Sequence, residues 1–377
     1  MKRIAFFGGT FNPVHTEHRY IAAAAVKELG LDKIIVVPTF LPPHKNVFPA
    51  KSEDRVNMLD ICFKQDAELF KNTEISDFEI KNGGKSYSYL TAEHFKSVYP
   101  DAELFMLIGG DMLKDFKTWK NPERILACAK LAVVMREDCS VDIKAEREYF
   151  KKNFNKDFTL LDYVGKDVSS TEIRTRLAFG IKPNGVDDKV FSYIKENAVY
   201  KPDKYEQYIL DKLPEKRVVH TANVVICALK KARELDLDNE KVRIAATLHD
   251  CAKYDDYMSY KDFSLPSDVP QPVVHAFLGA FVAETVLGVK DEEILDAIRY
   301  HTSGKANMST LSKLIFVADM LEEGRDYEGV DVLREAYEKD FESAFRLCLK
   351  EEVLHLMNKK QYIYKETLNA YDFYLKD

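Results

Sequence analysis

Two domains are expected: a doubly wound α/β domain over residues 1–202, then an all-helical domain over residues 203–377. Three observations predict them. Strand-like and helix-like patterns alternate through the first 200 residues, which implies parallel βαβ units. After about residue 203 strand-like runs nearly vanish, and the apolar residues fall at helical spacing. Lys201-Pro202-Asp203-Lys204 lies between, a polar junction containing proline. A chain of 377 residues is also too long for one ordinary core.

The elements follow in order. Arg3–Phe7 is a short β-rich run ending in Gly-Gly. His18–Leu29 is Ala-rich and helical, stopped by Gly30. Lys33–Val37 is a second buried strand, stopped by Pro38. Glu53–Phe63 and Tyr89–Val98 have helical spacing. Leu104–Ile108 is a strand ending in Gly109-Gly110-Asp111, and Leu131–Met135 is another. In doubly wound sheets ligands bind beyond the carboxyl ends of the strands. Gly8, Pro38, Gly109 and Arg136 each stand at such an end. In the second half, Val218–Leu235, Glu240–Leu248, Val274–Leu287, Asp291–Tyr300, Leu311–Leu321 and Asp331–Met357 are expected helices. Phe263–Pro272, with three prolines, is an expected loop.

Composition narrows the function. Charged residues make up 31% and apolar ones 46%, as in a soluble globular protein. A net charge of -7 and a pI near 5.8 argue against a broad nucleic-acid footprint. No apolar run approaches the roughly 20 residues that cross a membrane. The first residues, Met-Lys-Arg-Ile-Ala-Phe-Phe, are too short a run for a signal peptide. The six cysteines form no CxxC pair and suit reduced thiols in a cytoplasm. Homo-oligomerisation is left open.

The N-terminal segment Gly8-Gly9-Thr10-Phe11-Asn12-Pro13-Val14-His15-Thr16-Glu17-His18 points to phosphate chemistry. Glycines after a strand let backbone approach a phosphate. The next helix offers free N–H groups and the positive end of its dipole. His15 and His18, three residues apart, can face one phosphate and donate hydrogen bonds as charge builds on it. Lys45, in Pro42-Pro43-His44-Lys45, can neutralise a triphosphate. Asp111 offers a ribose acceptor and Trp119 a stacking surface. Ser169-Ser170-Thr171-Glu172-Ile173-Arg174 starts a helix with hydroxyl caps and an Arg for phosphate.

These segments, in this order, resemble bacterial nicotinate-nucleotide adenylyltransferase across about residues 1–200. The resemblance implies a Rossmann-like nucleotidyltransferase domain. It implies that nicotinate mononucleotide and ATP give deamido-NAD and pyrophosphate, with Mg²⁺. His15, His18, Lys45 and Arg174 would then stabilise triphosphate charge. Gly8, Gly9, Thr10, Phe11, Gly109, Asp111, Ser170 and Thr171 would hold the nucleotides, and Trp119 and Arg136 would lie near the nicotinate ring. Position 17 is Glu where the family usually has Gly, so this carboxylate must point away from the triphosphate. Ser88 stands where the family usually has Thr, and it keeps the hydroxyl that nicotinate recognition uses.

The C-terminal half carries a different signature. His249-Asp250 ends one helical run, His220 lies in an earlier helix and Asp319 in a later one, with His275 and His301 between. Mixed imidazole and carboxylate donors suit Fe²⁺, Mn²⁺ or similar ions, and a bound metal activates water near neutral pH. The pattern resembles the HD-domain phosphohydrolases. More narrowly it is similar to bacterial symmetrical diadenosine tetraphosphatases, across about residues 205–377. That implies hydrolysis of diadenosine tetraphosphate to two ADP, with iron or another divalent transition metal. His220, His249, Asp250 and Asp319 would be the ligands. Arg217, Lys253, His275, His301, Thr302 and Arg325 would meet the polyphosphate or nucleotide, and His275 or His301 could instead hold a second metal. Two other readings stay open for this domain: a nucleotide sensor without turnover, or a mononucleotide phosphohydrolase.

Overall fold

The computed structural model describes residues 1–41, 50–66, 68–137, 139–166 and 168–376. They form two compact units: residues 1–174 with 182–201, and residues 175–181 with 202–377.

The first unit is built on six parallel strands: β1 (Arg3–Gly9), β2 (Lys33–Pro38), β3 (Thr73–Ile75), β4 (Glu103–Gly109), β5 (Lys130–Arg136) and β6 (Thr159–Gly165). Their order is β3-β2-β1-β4-β5-β6, so the winding reverses between β1 and β4. The central strands are continuous apolar runs because both their faces are covered. Ile4, Phe6, Ile35, Met106, Ile108, Leu131 and Val133 belong to one buried cluster with Phe95, Phe116 and Phe150. Gly8 and Gly9 pair with Val37 and Pro38, and Phe7 pairs with Leu107. The carboxyl ends of β1, β2 and β4 therefore lie side by side at the switch point, where ligands of such sheets bind.

Two strands were not expected from the sequence. β3 has three residues and none is buried. β6 alternates buried and exposed positions irregularly, as an outer strand does.

Among the described residues the second unit has no strand. Its helices are Lys204–Lys212, Glu215–Ala232, Asn239–Leu248, Gln271–Thr285, Glu292–Tyr300, Thr310–Leu321, Val330–Lys339, Phe341–Asn358 and Lys365–Leu375. Their starts follow capping chemistry: Asp238, Asp291 and Ser309 accept from backbone N–H groups of the following first turns. The expected helix Asp331–Met357 is two helices. Asp340 leaves helical geometry and caps the second, accepting from Ser343 N–H at 2.8 Å. The expected loop Phe263–Pro272 is shorter than read: Gln271 and Pro272 open a helix, where the missing proline N–H costs nothing. Among the described residues no helix is long and apolar enough to cross a membrane.

Candidate active sites

In the first unit the Gly8–His18 segment leaves β1 and enters the helix Thr16–Glu28. A Cβ on Gly8 would meet nothing within 4 Å, so that backbone face is open. A Cβ on Gly9 would meet the Phe11 ring at 2.9 Å. Phe11 is 1% exposed, has a positive φ of 46° and sets its ring edge-on to His18, 4.8 Å between centroids. Its side chain shapes the loop, and any hold on a nucleotide falls to its backbone. His15 caps the helix, and its ring lies 3.7 Å from that of His18. Burial and then Arg136 lower the His15 pKa to about 3. Burial, His15 and Arg136 hold His18 well below its ordinary range. The Arg136 charge, at the end of β5, thus reaches the histidine pair.

Three residues given no role from the sequence hold this loop. Arg55 is fully buried and donates to Thr10 O at 2.8 Å and Thr39 O at 2.7 Å, joining the ends of β1 and β2. Asn12 accepts twice: its backbone oxygen from Arg174 at 2.7 Å, and its side chain from the Tyr200 hydroxyl at 2.6 Å. The signal for Arg55 was a lone cation on the apolar face of Glu53–Phe63. No local signal marked Tyr200.

Glu17 turns toward β6. Buried at 4% exposure, it accepts from the Tyr163 hydroxyl at 2.9 Å and from Lys166 N–H at 3.0 Å. It fastens the end of β6.

Asp111 starts the short helix after β4, and its carboxylate folds over Gly109, where a Cβ would lie 2.4 Å from Oδ1. Trp119 packs on Phe116, 5.3 Å between centroids. Ser88 opens the helix Ser88–Val98, and Ser86 ties that entry to the exit of β2 through Phe40 N–H and Leu41 O. Ser170 and Thr171 open the helix that carries Arg174, and Thr171 accepts from Arg174 at 3.0 Å. Lys45 lies outside the described residues.

In the second unit all six expected histidine and aspartate side chains meet. His220 Nε2 is 3.1 Å from Asp319 Oδ1 and 3.3 Å from His249 Nε2. His249 Nε2 is 3.7 Å from Asp250 Oδ2. Asp250 Oδ1 lies 3.1 Å from His275 Nε2 and 3.4 Å from His301 Nε2, and those two nitrogens are 3.3 Å apart. Three groups can hold a cation: His220-His249-Asp250, His249-His301-Asp319 and Asp250-His275-His301. Burial pushes the His249 pKa down to about 3, so its ring is neutral, as a ligand must be.

Helix ends aim these rings. His249 and His301 each stand just past a helix, where backbone carbonyls lack partners. His249 Nδ1 is 2.7 Å from Ala246 O, and His301 Nδ1 is 2.8 Å from Ile298 O. A carbonyl only accepts, so Nδ1 carries the proton and Nε2 presents a lone pair to the cluster. Asp250 Oδ1 is fully buried and faces the Nε2 atoms of His275 and His301 as well as the Lys253 ammonium. A buried carboxylate oxygen set among imidazole nitrogens is a donor set that fits a divalent cation.

Cations surround the cluster. Lys253 Nζ is 3.2 Å from Asp250 Oδ1 and 2.9 Å from His275 Nε2. Arg217 lies 3.1 Å from Asp250 Oδ2, and Thr302 Oγ1 is 3.0 Å from His301 Nε2. Arg325 binds Asp319 through both the backbone oxygen and Oδ1. Glu322, given no role from the sequence, is buried against His220.

Comparison with known proteins agrees in both halves. Residues 6–176 match the cytidylyltransferase-like family and residues 217–324 the HD domain. A protein of Clostridium tetani named probable nicotinate-nucleotide adenylyltransferase is 40% identical over 205 residues, 53% of this chain and 100% of that protein. A Mycoplasma genitalium protein named probable nicotinate-nucleotide adenylyltransferase/Ap4A hydrolase is 28% identical over 364 residues, 93% of this chain and 97% of its own. A crystal structure from Clostridium acetobutylicum, titled a predicted HD superfamily hydrolase involved in NAD metabolism, is 32% identical. It covers 46% of this chain and 96% of its own, with a TM-score of 0.44. The chain belongs to the nicotinate-nucleotide adenylyltransferase family and carries an HD domain in its C-terminal half.

Proposed function

We propose that this chain is a bifunctional enzyme, a transferase over residues 1–202 and a hydrolase over residues 203–377. In the first reaction a phosphate oxygen of nicotinate mononucleotide attacks the α-phosphorus of ATP. The bond from that phosphorus to the bridging oxygen breaks, and deamido-NAD and pyrophosphate form, with Mg²⁺ entering on ATP. No covalent enzyme intermediate is needed, so the protein's work is positioning and charge stabilisation. His15, His18, Lys45 and Arg174 serve the triphosphate, the Gly8–Phe11 backbone and Asp111 the nucleotides, and Ser88, Trp119 and Arg136 the nicotinate.

In the second reaction water attacks an inner phosphorus of diadenosine tetraphosphate, the central P–O–P bridge breaks, and two ADP form. When bound, a divalent ion, Fe²⁺ first among candidates, lowers the pKa of water so that it attacks near neutral pH. His220, His249, Asp250 and Asp319 would hold it, and Asp250, His275 and His301 offer donors for a second ion. Arg217, Lys253 and Arg325 set positive charge where a polyphosphate must lie. Six free cysteines suit a reducing cytoplasm.

The observation that carries the hydrolase reading is the convergence of six imidazole and carboxylate groups, from five helices and their ends, into three overlapping donor groups. The test is product analysis with diadenosine tetraphosphate, with and without Fe²⁺ or Mn²⁺. Metal-dependent ADP as sole product is expected. No turnover with metal bound would overturn the hydrolase half and leave a sensor.

A further inference from the structure

Every imidazole that offers Nε2 to a metal needs a partner at Nδ1 that only accepts. For His249 and His301 that partner is a helix-end carbonyl. His220 cannot use this device. It lies in the second turn of the helix Glu215–Ala232, whose carbonyls there are taken by the helix itself. Its Nδ1 instead meets Glu322 Oε1 at 3.1 Å.

Glu322 is held more firmly than any ordinary surface carboxylate. It is 3% exposed. Its second oxygen accepts from Asn223 Nδ2 at 2.9 Å and from Gly324 N–H at 2.6 Å. Asn223 sits three residues along the same helix as His220, so one helix face supplies both the ring and the clamp. Gly324 is constrained too: a Cβ there would lie 3.1 Å from Glu322 Oε2 and 3.4 Å from Asn223 Nδ2.

We propose that Glu322 is a positioning residue for the metal centre. Its carboxylate, clamped by Asn223 and Gly324, keeps the His220 proton on Nδ1 and so keeps the Nε2 lone pair aimed at the cluster. The inference rests on the reading of this cluster as a divalent-metal site. It turns on a property of carboxylates, which have two accepting oxygens. An amide has one. In Glu322→Gln the two clamping donors claim the amide oxygen, and the amide N–H₂ is left facing His220. The ring must then accept at Nδ1, its proton moves to Nε2, and the ligand position is blocked. An isosteric change of one atom thus separates a tautomer-setting role from a packing role.

The test uses the full chain, stripped of metal and titrated with Mn²⁺ against a chromophoric chelator. E322Q is expected to bind Mn²⁺ roughly 10–100-fold more weakly, the range for lost outer-shell partners, with adenylyl transfer and melting temperature unchanged. Unchanged affinity in E322Q overturns the proposal. A second readout needs no variant. In ¹⁵N-histidine spectra of the wild-type chain loaded with diamagnetic Zn²⁺, His220 is expected to carry its proton on Nδ1, and a proton on Nε2 overturns the proposal. If the wild-type chain binds neither ion, the metal-site reading fails, which is a different result from normal binding that E322Q leaves untouched.

Discussion

The His15 backbone N–H donates to His18 Nδ1 at 3.2 Å, which leaves the proton of the neutral His18 ring on Nε2. The His15 ring is buried and His18 partly so, and desolvation holds both pKa values below the ordinary imidazole range. In the proposed transfer they would meet a phosphate as neutral donors, and their contribution would grow as charge builds in the transition state. His18→Ala is expected to slow adenylyl transfer by about 10²–10³-fold, as when an oxyanion donor is lost. Hydrolysis should stay at the wild-type rate. Both activities are assayed on one preparation, and their joint loss in a folded variant would sink the two-site account.

Burial of His15 also makes the first unit acid-sensitive. Its pKa is about 3 when folded and near 6.5 when unfolded. Between these values the unfolded chain binds more protons, so stability rises with pH. It is complete above about pH 6.5 and falls by roughly 2 kcal/mol at pH 5. Trp119 is the one tryptophan of the chain and lies in this unit, so its fluorescence follows the unit alone. Urea unfolding at pH 7 and pH 5 should show His15→Gln losing about 2 kcal/mol less than wild type on acidification. Equal losses would show that the ring is not the sensor.

The buried Glu17 carboxylate takes hydrogen bonds from the Tyr163 hydroxyl and Lys166 N–H. Glu17→Ala strands two donors and should destabilise the first unit by about 1–3 kcal/mol, read by Trp119 fluorescence in urea. The turnover number for adenylyl transfer should stay within a few-fold of wild type. A large fall in turnover at unchanged stability would instead put this carboxylate in the chemistry.

The strand ends that build the first site were legible because Gly-Gly, Pro38 and Gly109 punctuate buried apolar runs. The His-Asp cluster was legible because four of the nine histidines fall at residues 220, 249, 275 and 301, with Asp250 and Asp319 in the same half. What escaped is what tertiary packing alone decides. β3 and β6 lack a clean alternation because they are short or outermost strands. Arg55 and Tyr200 act on the loop from 45 and 188 residues away in sequence. Glu322 reaches His220 across 102 residues. Only the fold brings these partners together, and no local pattern encodes the meeting. Asp340 is a different case: its capping role is local, but the apolar spacing on both sides hid the break.

Removing the metal, or the carboxylate at its centre, separates the two halves. Asp250 touches both histidine groups: Oδ2 faces His249, Oδ1 faces His275 and His301. Arg217 and Lys253 also lean on it. Asp250→Asn keeps the shape and removes the charge, so these cations lose their counter-ion and a divalent ion loses a shared ligand. Hydrolysis should fall by orders of magnitude while transfer continues. Stability gives the independent readout. An ion at 100 times its Kd stabilises the folded state by about 2.7 kcal/mol, so Mn²⁺ should raise the melting temperature of the wild-type second unit. Asp250→Asn should show no such rise. Calorimetry of the full chain with and without Mn²⁺ resolves this, because Trp119 fluorescence identifies the transition of the first unit. A rise of equal size in the variant would mean that the stabilising ion binds away from Asp250, and the donor set centred on it would have to be abandoned.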